Sequence, residues 1–559
     1  MNAFGSSFVV ALLGVSAAGL AALGLRAVHR RRIGTRAPLP PGPKRLPLVG
    51  NLFDIPTETE WEVYDKWCKE LNSDVIYLDA AGTPIIVLGS VEAAEDLLEK
   101  RSAQYSHRPP APMLELVGGD FMFGTFADLH IYSHSSSTGF IRYGETWRTH
   151  RRLFSKVFPP GKAYNTGLHQ HEVTQTHDLL RRLLDSPNAF AQHLGHVVGA
   201  NIISLAYGLD VRSADDPYLD AMNQGIDAVT MVTMRGRFLV DNLPFLKYVP
   251  AWMPGADFQR KAAIWRARVE YMVDMPYTAA KKLVQEGSDR ASFVGDNIRA
   301  FCAKAPGWLD SKRASIPADA KWESDLKSVA GTMFAGASDT VCLFLAFMGS
   351  PLTMAQTRTT LVVFFLAMMK NPTVQKKAQQ EIDSVLQGRL PTFTDEANLP
   401  YTTALVKEVF RWWPVIPIPI PHFVDDEDEY RGYRIPAGSV VLANAWSMLR
   451  NPKVYPEPDA FKPERFLRAD GRLNTSVPDP APAFGFGRRI CPGQYMATRT
   501  VWLMAVSVLS VFDISEPRPE DANIEHPGHN FGLAFAPPPF GCSITPRSKE
   551  AVEVIRATA

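Results

Sequence analysis

The chain has 559 residues, 46% of them hydrophobic, and a formal net charge of +1. That is enough apolar material for a large core, and the near-neutral balance gives no bulk electrostatic pull toward nucleic acid. Its five cysteines, Cys68, Cys302, Cys342, Cys491 and Cys542, are widely spaced, odd in number and form no CxxC pair. They therefore suggest neither a zinc cluster nor a disulfide framework, and they fit reducing surroundings.

Residues 4–25, FGSSFVVALLGVSAAGLAALGL, carry no charge and are long enough as a helix to cross ~30 Å of hydrocarbon. An arginine cluster follows in RAVHRRRIGTR, and no Lys or Arg precedes the apolar run. A cleaved signal peptide would show the reverse order of charge. Residues 1–25 are thus read as a membrane anchor with the rest of the chain on the cytoplasmic side. Residues 26–51, basic and then rich in proline, read as a stiff linker.

The body, residues 52–559, reads as mostly helical with small sheets. VIYLDAAGTPIIVLGS (75–90) alternates and breaks at glycine, which predicts a hairpin. From Gly144 to about Gly287 the periodicity is helical. Amphipathic spacing predicts further helices over 371–386 and 399–413, the second stopped by Pro414. Short strand-like pieces lie in 430–446 and 540–547. No internal repeat and no break in composition marks a second catalytic domain.

The sharpest local pattern is FGFGRRICPGQY, residues 484–495. A cysteine thiolate serves as an axial ligand to haem iron when it is held on a rigid, screened loop. Gly487 and Gly493 allow tight turns and close approach to a flat macrocycle. Backbone N–H groups near Cys491 can donate to its sulfur, Arg489 can pair with a propionate, and Phe484 can pack on the sulfur side of the ring. With Phe484, Gly487, Arg489, Cys491 and Gly493 at this spacing, the chain resembles the cytochrome P450 superfamily of haem-thiolate monooxygenases, and most of all its fungal, microsomal-type members.

The resemblance extends over the body of the chain. Glu408 and Arg411 in KEVFRWWP, with Arg465 in FKPERF, match the family's structural Glu-Arg-Arg triad. Trp147 and Arg151 in WRTHRRLF match the pair that reaches a haem propionate. The resemblance implies a mainly α fold with small β-sheets, the cytochrome P450 fold, preceded by a transmembrane helix. It also implies haem b (iron protoporphyrin IX) as cofactor, O2 as co-substrate and a single-pass location in the endoplasmic reticulum membrane. The electron donor would be a separate NADPH-cytochrome P450 reductase, since the sequence contains no flavin or dinucleotide motif. The reaction would place one oxygen atom into a lipophilic small molecule, in fungal secondary metabolism or xenobiotic oxidation. The rival readings are a haem-thiolate isomerase or dehydratase that needs no reductase, and an inactive or impaired splice product, a haem-binding pseudoenzyme. Val415–Ile420, Phe334, Ala335 and the stretch Pro109–Leu116 are expected to line the substrate pocket. Arg148, His150, Arg152 and Lys156 are read as a surface face of the Trp147 helix, solvated or meeting a reductase. His107 and His422 read as satisfied structural groups, not metal ligands.

The family's oxygen-activating helix is matched at GTMFAGASDT (331–340), where Asp339 and Thr340 would deliver protons. The match then breaks. Removing Val341–Gln356 yields GASDTTRTTLVVFFLAMMKNP, which restores a second threonine, Thr357. Likewise, removing Gly124–Thr138 yields FMFGFIRYGETW. The edge codons of both segments permit intron boundaries, and both lengths keep the reading frame. Both are expected to be retained introns. Sixteen extra helical residues would add ~24 Å and turn the downstream face by ~160°, and Pro351 would break such a helix. The chain as written is therefore expected to bind oxygen poorly or misfold.

Overall fold

The computed structural model describes residues 37–56, 58–118, 143–157, 166–212, 215–233, 238–303, 320–338, 356–517 and 535–559. The proposed anchor, Asp339, Thr340 and both suspected insertions (save Gln356, the first residue of a helix) lie outside these residues. Among the described residues no helix is long and apolar enough to cross a membrane.

Strands β1 (Val75–Ala80) and β2 (Thr83–Leu88) form the predicted hairpin. Both turn residues take positive φ, Ala81 at 50° and Gly82 at 96°, the twist that a two-residue hairpin turn needs. Six further strands complete the set: β3 (His422–Val424), β4 (Asp428–Tyr430), β5 (Tyr433–Ile435), β6 (Ser439–Ala443), β7 (Phe512–Ser515) and β8 (Ser543–Pro546). β2 pairs in parallel with β6, which pairs antiparallel with β3, giving the order β1-β2-β6-β3; β4-β5 and β7-β8 are separate pairs. The described end of the linker lies along β1: the Tyr77 N–H donates to the Pro41 carbonyl at 2.9 Å.

The helical body is built from α1 (Glu60–Glu70), α2 (Pro112–Leu116), α3 (Glu145–Val157), α4 (Thr166–Asp185), α5 (Phe190–Tyr207), α6 (Pro217–Thr233) and α7 (Asp257–Gln285). It continues through α8 (Phe293–Cys302), α9 (Ala320–Ser338), α10 (Gln356–Lys370), α11 (Pro372–Leu386), α12 (Pro400–Trp412), α13 (Gln494–Val511) and α14 (Lys549–Arg556). The two helices predicted over 371–386 and 399–413 are α11 and α12. Each starts on a proline at its first turn, where the missing N–H costs nothing.

Helix α5 organises the centre. From Val197 to Tyr207 it is buried at every position, as a helix covered on all sides is. Its C-terminal half, Ile202 to Tyr207, packs with Leu326, Val329, Met333 and Phe334 of α9. Its N-terminal half, Phe190 to Val198, packs with Leu361 to Met369 of α10. So α9 and α10 follow one another along α5, running antiparallel to it. These are two large cores, one around α5–α9–α6–α7 and one around α10–α12–α13. Where they meet, a cavity of about 320 Å³ takes lining residues from both.

Candidate active site

The cysteine loop is held mainly by its backbone. Gly485 and Gly487 take positive φ, 82° and 57°. A Cβ on Gly487 would sit 1.9 Å from the Leu98 carbonyl oxygen, so this close approach admits only glycine. The Ile490 N–H donates to the Gly487 carbonyl at 3.1 Å, and the Cys491 N–H to the Phe484 carbonyl at 2.8 Å. Gly493 then caps α13. Cys491 lines the cavity, so the surface its sulfur retains is internal. Burial pushes its thiol pKa up, while the Gly493 N–H, donating to the sulfur, and the Arg151 guanidinium both pull it down. Phe484 lines the same floor and packs on Phe410, ring centroids 5.2 Å apart.

Around this floor the structure gathers positive charge. Arg151 on α3 donates to the Ile490 carbonyl at 3.1 Å, and Arg489 to the Ser106 carbonyl at 2.8 Å. The Trp147 ring lies near both guanidiniums, with centroid distances of 5.7 and 5.2 Å. Sequence reasoning missed a third cation, Arg108. It is 7% exposed, its Nη1 donates to the Ile420 and Pro421 carbonyls at 2.7 Å, and its Nε has no hydrogen-bond partner among the described residues. Burial, then the charge of Arg489, holds the Arg108 pKa well below the guanidinium range. Burial, then Arg151, brings Arg489 down to about 9. His422 is buried and satisfied, as expected, its Nδ1–H donating to the Tyr105 carbonyl at 2.7 Å; it also lines the cavity. Burial, then Arg108, keeps its ring neutral. The described lining residues thus include four arginines and no carboxylate, a setting that favours an anionic ligand. Nothing in the local text around Arg108, HRPP, announces this role: its partners lie more than 300 residues away.

Behind the loop, Glu408, Arg411 and Arg465 meet as predicted. Arg411 grips Glu408 through two bonds of 2.7 and 2.8 Å, both side chains fully buried, and Arg465 adds a contact at 3.1 Å. The remaining donors of both arginines go to the carbonyls of Leu449, Pro456, Glu457 and Ala460. One carboxylate therefore ties α12 to the stretch 449–465 that precedes the cysteine loop.

Across the cavity lie Thr332, Met333, Ala335 and Gly336 of α9 and Thr357 and Thr360 of α10. Four expectations need correction. Phe334 does not line the cavity; one helical step from Ala335, it packs edge-on against Tyr207 at 5.6 Å. Of Pro109–Leu116 only Leu114 lines it, and within Val415–Ile420 the side chain of Ile418 joins the core under the sheet instead. His150 is not on a surface face: it is 1% exposed and its Nε2 lies 2.9 Å from Asp325 of α9. Helical periodicity gave its angle on α3 correctly, but α9 covers that angle.

The family model described as Cytochrome P450 matches residues 40–543. The chain belongs to the cytochrome P450 family. It is 41% identical over 527 residues to cytochrome P450 monooxygenase ple1 of Rhodocybe pseudopiperita, covering 93% of this chain and 91% of that one. It is 37% identical to tryptamine 4-monooxygenase of Psilocybe cyanescens (94% and 96% covered) and 38% to cytochrome P450 monooxygenase 98 of Postia placenta (94% of each). This P450 is accordingly a monooxygenase, and its family implies haem. The residues present fit that group: a thiol faces the cavity at its floor, and cations in its lining, with the Arg108 Nε unpaired among the described residues, stand ready for two carboxylates.

Proposed function

We propose that this P450 is a monooxygenase of a neutral lipophilic molecule, in which Cys491 would hold haem b and haem would supply the oxygen-inserting chemistry. The observation that carries this reading is the placement of Cys491 together with Arg108, Arg151 and Arg489 on one mostly apolar cavity. Haem, when bound, supplies the oxygen-activating redox chemistry. The chain's own residues do the rest. Gly493 and Arg151 favour the thiolate form of Cys491. Arg108, Arg151, Arg489 and Trp147 hold the propionates. The apolar walls exclude water, and Asp339 and Thr340 would deliver protons. Electrons come from an NADPH-cytochrome P450 reductase.

The name of the Psilocybe relative contains an amine substrate. A cationic amine would meet no carboxylate among the described lining residues of this cavity, so we assign this chain a neutral substrate. We also propose that the body rests on the endoplasmic reticulum membrane, tethered by residues 1–25. The exposed Leu239, Phe245, Tyr248 and Trp252, close together in sequence, support such contact.

Retained introns at 124–138 and 341–356 remain part of the proposal. In support, α9 and α10 succeed one another along a single partner helix, and Gly336 and Thr357 border the same cavity. A single helix broken by inserted text would have this layout. The test is expression of both forms with a reductase. The spliced form is expected to give a thiolate-type ferrous–CO Soret band and NADPH consumption coupled to product. A band that survives Cys491→Ser would overturn the haem-thiolate reading, and turnover without NADPH would favour the isomerase reading. Equal spectra and turnover from both forms, or transcripts covering both segments uniformly, would overturn the splicing proposal.

A further inference from the structure

Glu172 on α4 is a fully buried carboxyl with no part in the chemistry described so far. Its Oε1 accepts from the Thr500 hydroxyl at 2.6 Å. Its Oε2 is buried and has no hydrogen-bond partner among the described residues. Thr500 ties this group to the cavity. Gly493, Met496, Ala497, Thr500 and Val501 all line it, and their spacings of three and four make them one face of α13. Gly493, the N-cap of that helix, stands two residues from Cys491, and Thr500 lies roughly 10 Å further along at the helical rise. Glu172 thus sits one hydrogen bond behind the cavity floor, closed off from water. A charge placed there is weakly screened and acts on whatever the floor holds.

Few charges compete for control of this group. Arg499 of α13 is the cation that acts on it, and its guanidinium lies over the Phe393 ring at 4.3 Å. On α4 itself, His169 lies one turn before Glu172. His171 bonds to Ser204 of α5, with Arg290 and Asp210 beyond. The other titratable groups that α5 brings to α4, His193 and His196, bond near Ser186 and Arg182, and α14 is met through Arg181. All of these lie roughly two turns or more further along α4. Strand β8 and residues 187–189, which also pack on α4, carry no charge. Burial raises the Glu172 carboxyl to about 7, against smaller opposing pulls from Thr500 and Arg499, so both protonation states are accessible near neutral pH.

We propose that Glu172 takes up a proton when the haem-thiolate site gains an electron, and so sets the potential at which that site is reduced. This deepens the functional reading above by naming a control on the same site, and it rests on that reading. The step balances: a one-electron reductant supplies the electron, solvent supplies the proton, and one O–H bond forms on the carboxylate. The bond from Thr500 to Oε1 is kept, and Oε2 carries the proton. Glu172 touches no reacting atom and acts through its charge. At roughly 10 Å and an effective dielectric of about 20, one unit charge changes an equilibrium about tenfold. By reciprocity, reduction raises the proton affinity of Glu172 about tenfold and protonation favours reduction by the same factor, which is about 59 mV for one electron.

The test is a dye-mediated redox titration of the Soret band from about pH 5 to about pH 9. It uses the holoenzyme, in whichever expressed form gives the thiolate-type ferrous–CO band. The wild-type midpoint potential is expected to hold an upper plateau in acid, fall by about 59 mV as pH rises past about 7, then level off. Reduction midway through that step, followed with a pH indicator, is expected to take up about half a proton per electron. Glu172→Gln, and Glu172→Leu as a second variant that needs no hydrogen bond, are expected to stay on the upper plateau throughout and to lose this proton uptake. Thr500→Val is expected to keep the step but move it to higher pH, because the hydroxyl that pulls the carboxyl down is gone. With the ferrous–CO band intact, a flat wild-type potential, an undiminished step in both Glu172 variants, or variants fixed on the lower plateau overturns this proposal alone. Absence of the band from every form overturns the haem-thiolate reading and this proposal with it.

Discussion

The floor and the wall of the cavity are built on opposite physical terms. The floor, from Phe484 to Gly493, is held by backbone bonds, two positive-φ glycines and a buried carboxylate gripping two arginines. Almost every polar group there has a job. The wall, contributed by α5, α6 and α9, is built mainly of packed apolar side chains, with ion pairs such as His150–Asp325 and Lys281–Glu323 tying α9 to its neighbours. The difference teaches where tolerance lies. A backbone-defined loop has few acceptable sequences, because each replacement breaks a specific bond or clashes with main chain. A packed apolar wall accepts any set of side chains of about the right volume, so the lining can vary there without disturbing the cysteine-bearing floor.

The largest expected effect that would break this contrast is at Cys491. Cys491→Ser is expected to abolish the thiolate-type ferrous–CO band completely while leaving the helical circular dichroism intact. Next comes Glu408→Gln, which leaves Arg411 and Arg465 buried without their carboxylate. A loss of about 3–5 kcal/mol in denaturant unfolding is expected, with poor haem retention, although the residue does not line the cavity. Gly487→Ala forces a Cβ against the Leu98 carbonyl at a positive φ and should cost about 2–4 kcal/mol. Stability within 0.5 kcal/mol of wild type, roughly the scatter of neutral surface changes, would show that the floor yields to a side chain as readily as the wall does.

The seam between floor and wall offers a pH test. Glu172 on α4 is buried, and Thr500 of α13, itself a cavity-lining residue, donates to it at 2.6 Å. Burial raises its carboxyl from an ordinary 4.5 to about 7, against smaller opposing pulls from Thr500 and Arg499. The folded state thus keeps this proton where the unfolded chain releases it, and stability should fall as pH rises from about 4.5 to about 7, then level off. Glu172→Gln should remove that slope, gaining at most about 3 kcal/mol at pH 8, as read from melting curves across pH. The smallest effect on stability is expected for Ala335→Leu on the wall. It should change melting little yet weaken binding of bulky ligands severalfold, whereas the same change to its neighbour, Phe334→Leu, should lower stability and leave ligand preference alone. If Phe334→Leu shifted ligand preference instead, α9 would have to present its Phe334 face, not its Ala335 face, to the cavity.

Sequence alone determined Cys491, Gly487, Gly493 and Arg489, because a tight loop couples residue type to position over a few bonds. It also determined Glu408 with Arg411 and Trp147 with Arg151, whose helical spacings of three and four put each pair on one face. Helices α11 and α12 and the 75–88 hairpin were legible for the same local reasons, prolines at helix starts and a glycine turn. Arg108, the cavity side of His422, the burial of His150 and the inward turn of Phe334 were decided only by tertiary structure. Each depends on which distant element covers a given face, and a pattern confined to one helix or turn holds no record of what packs against it.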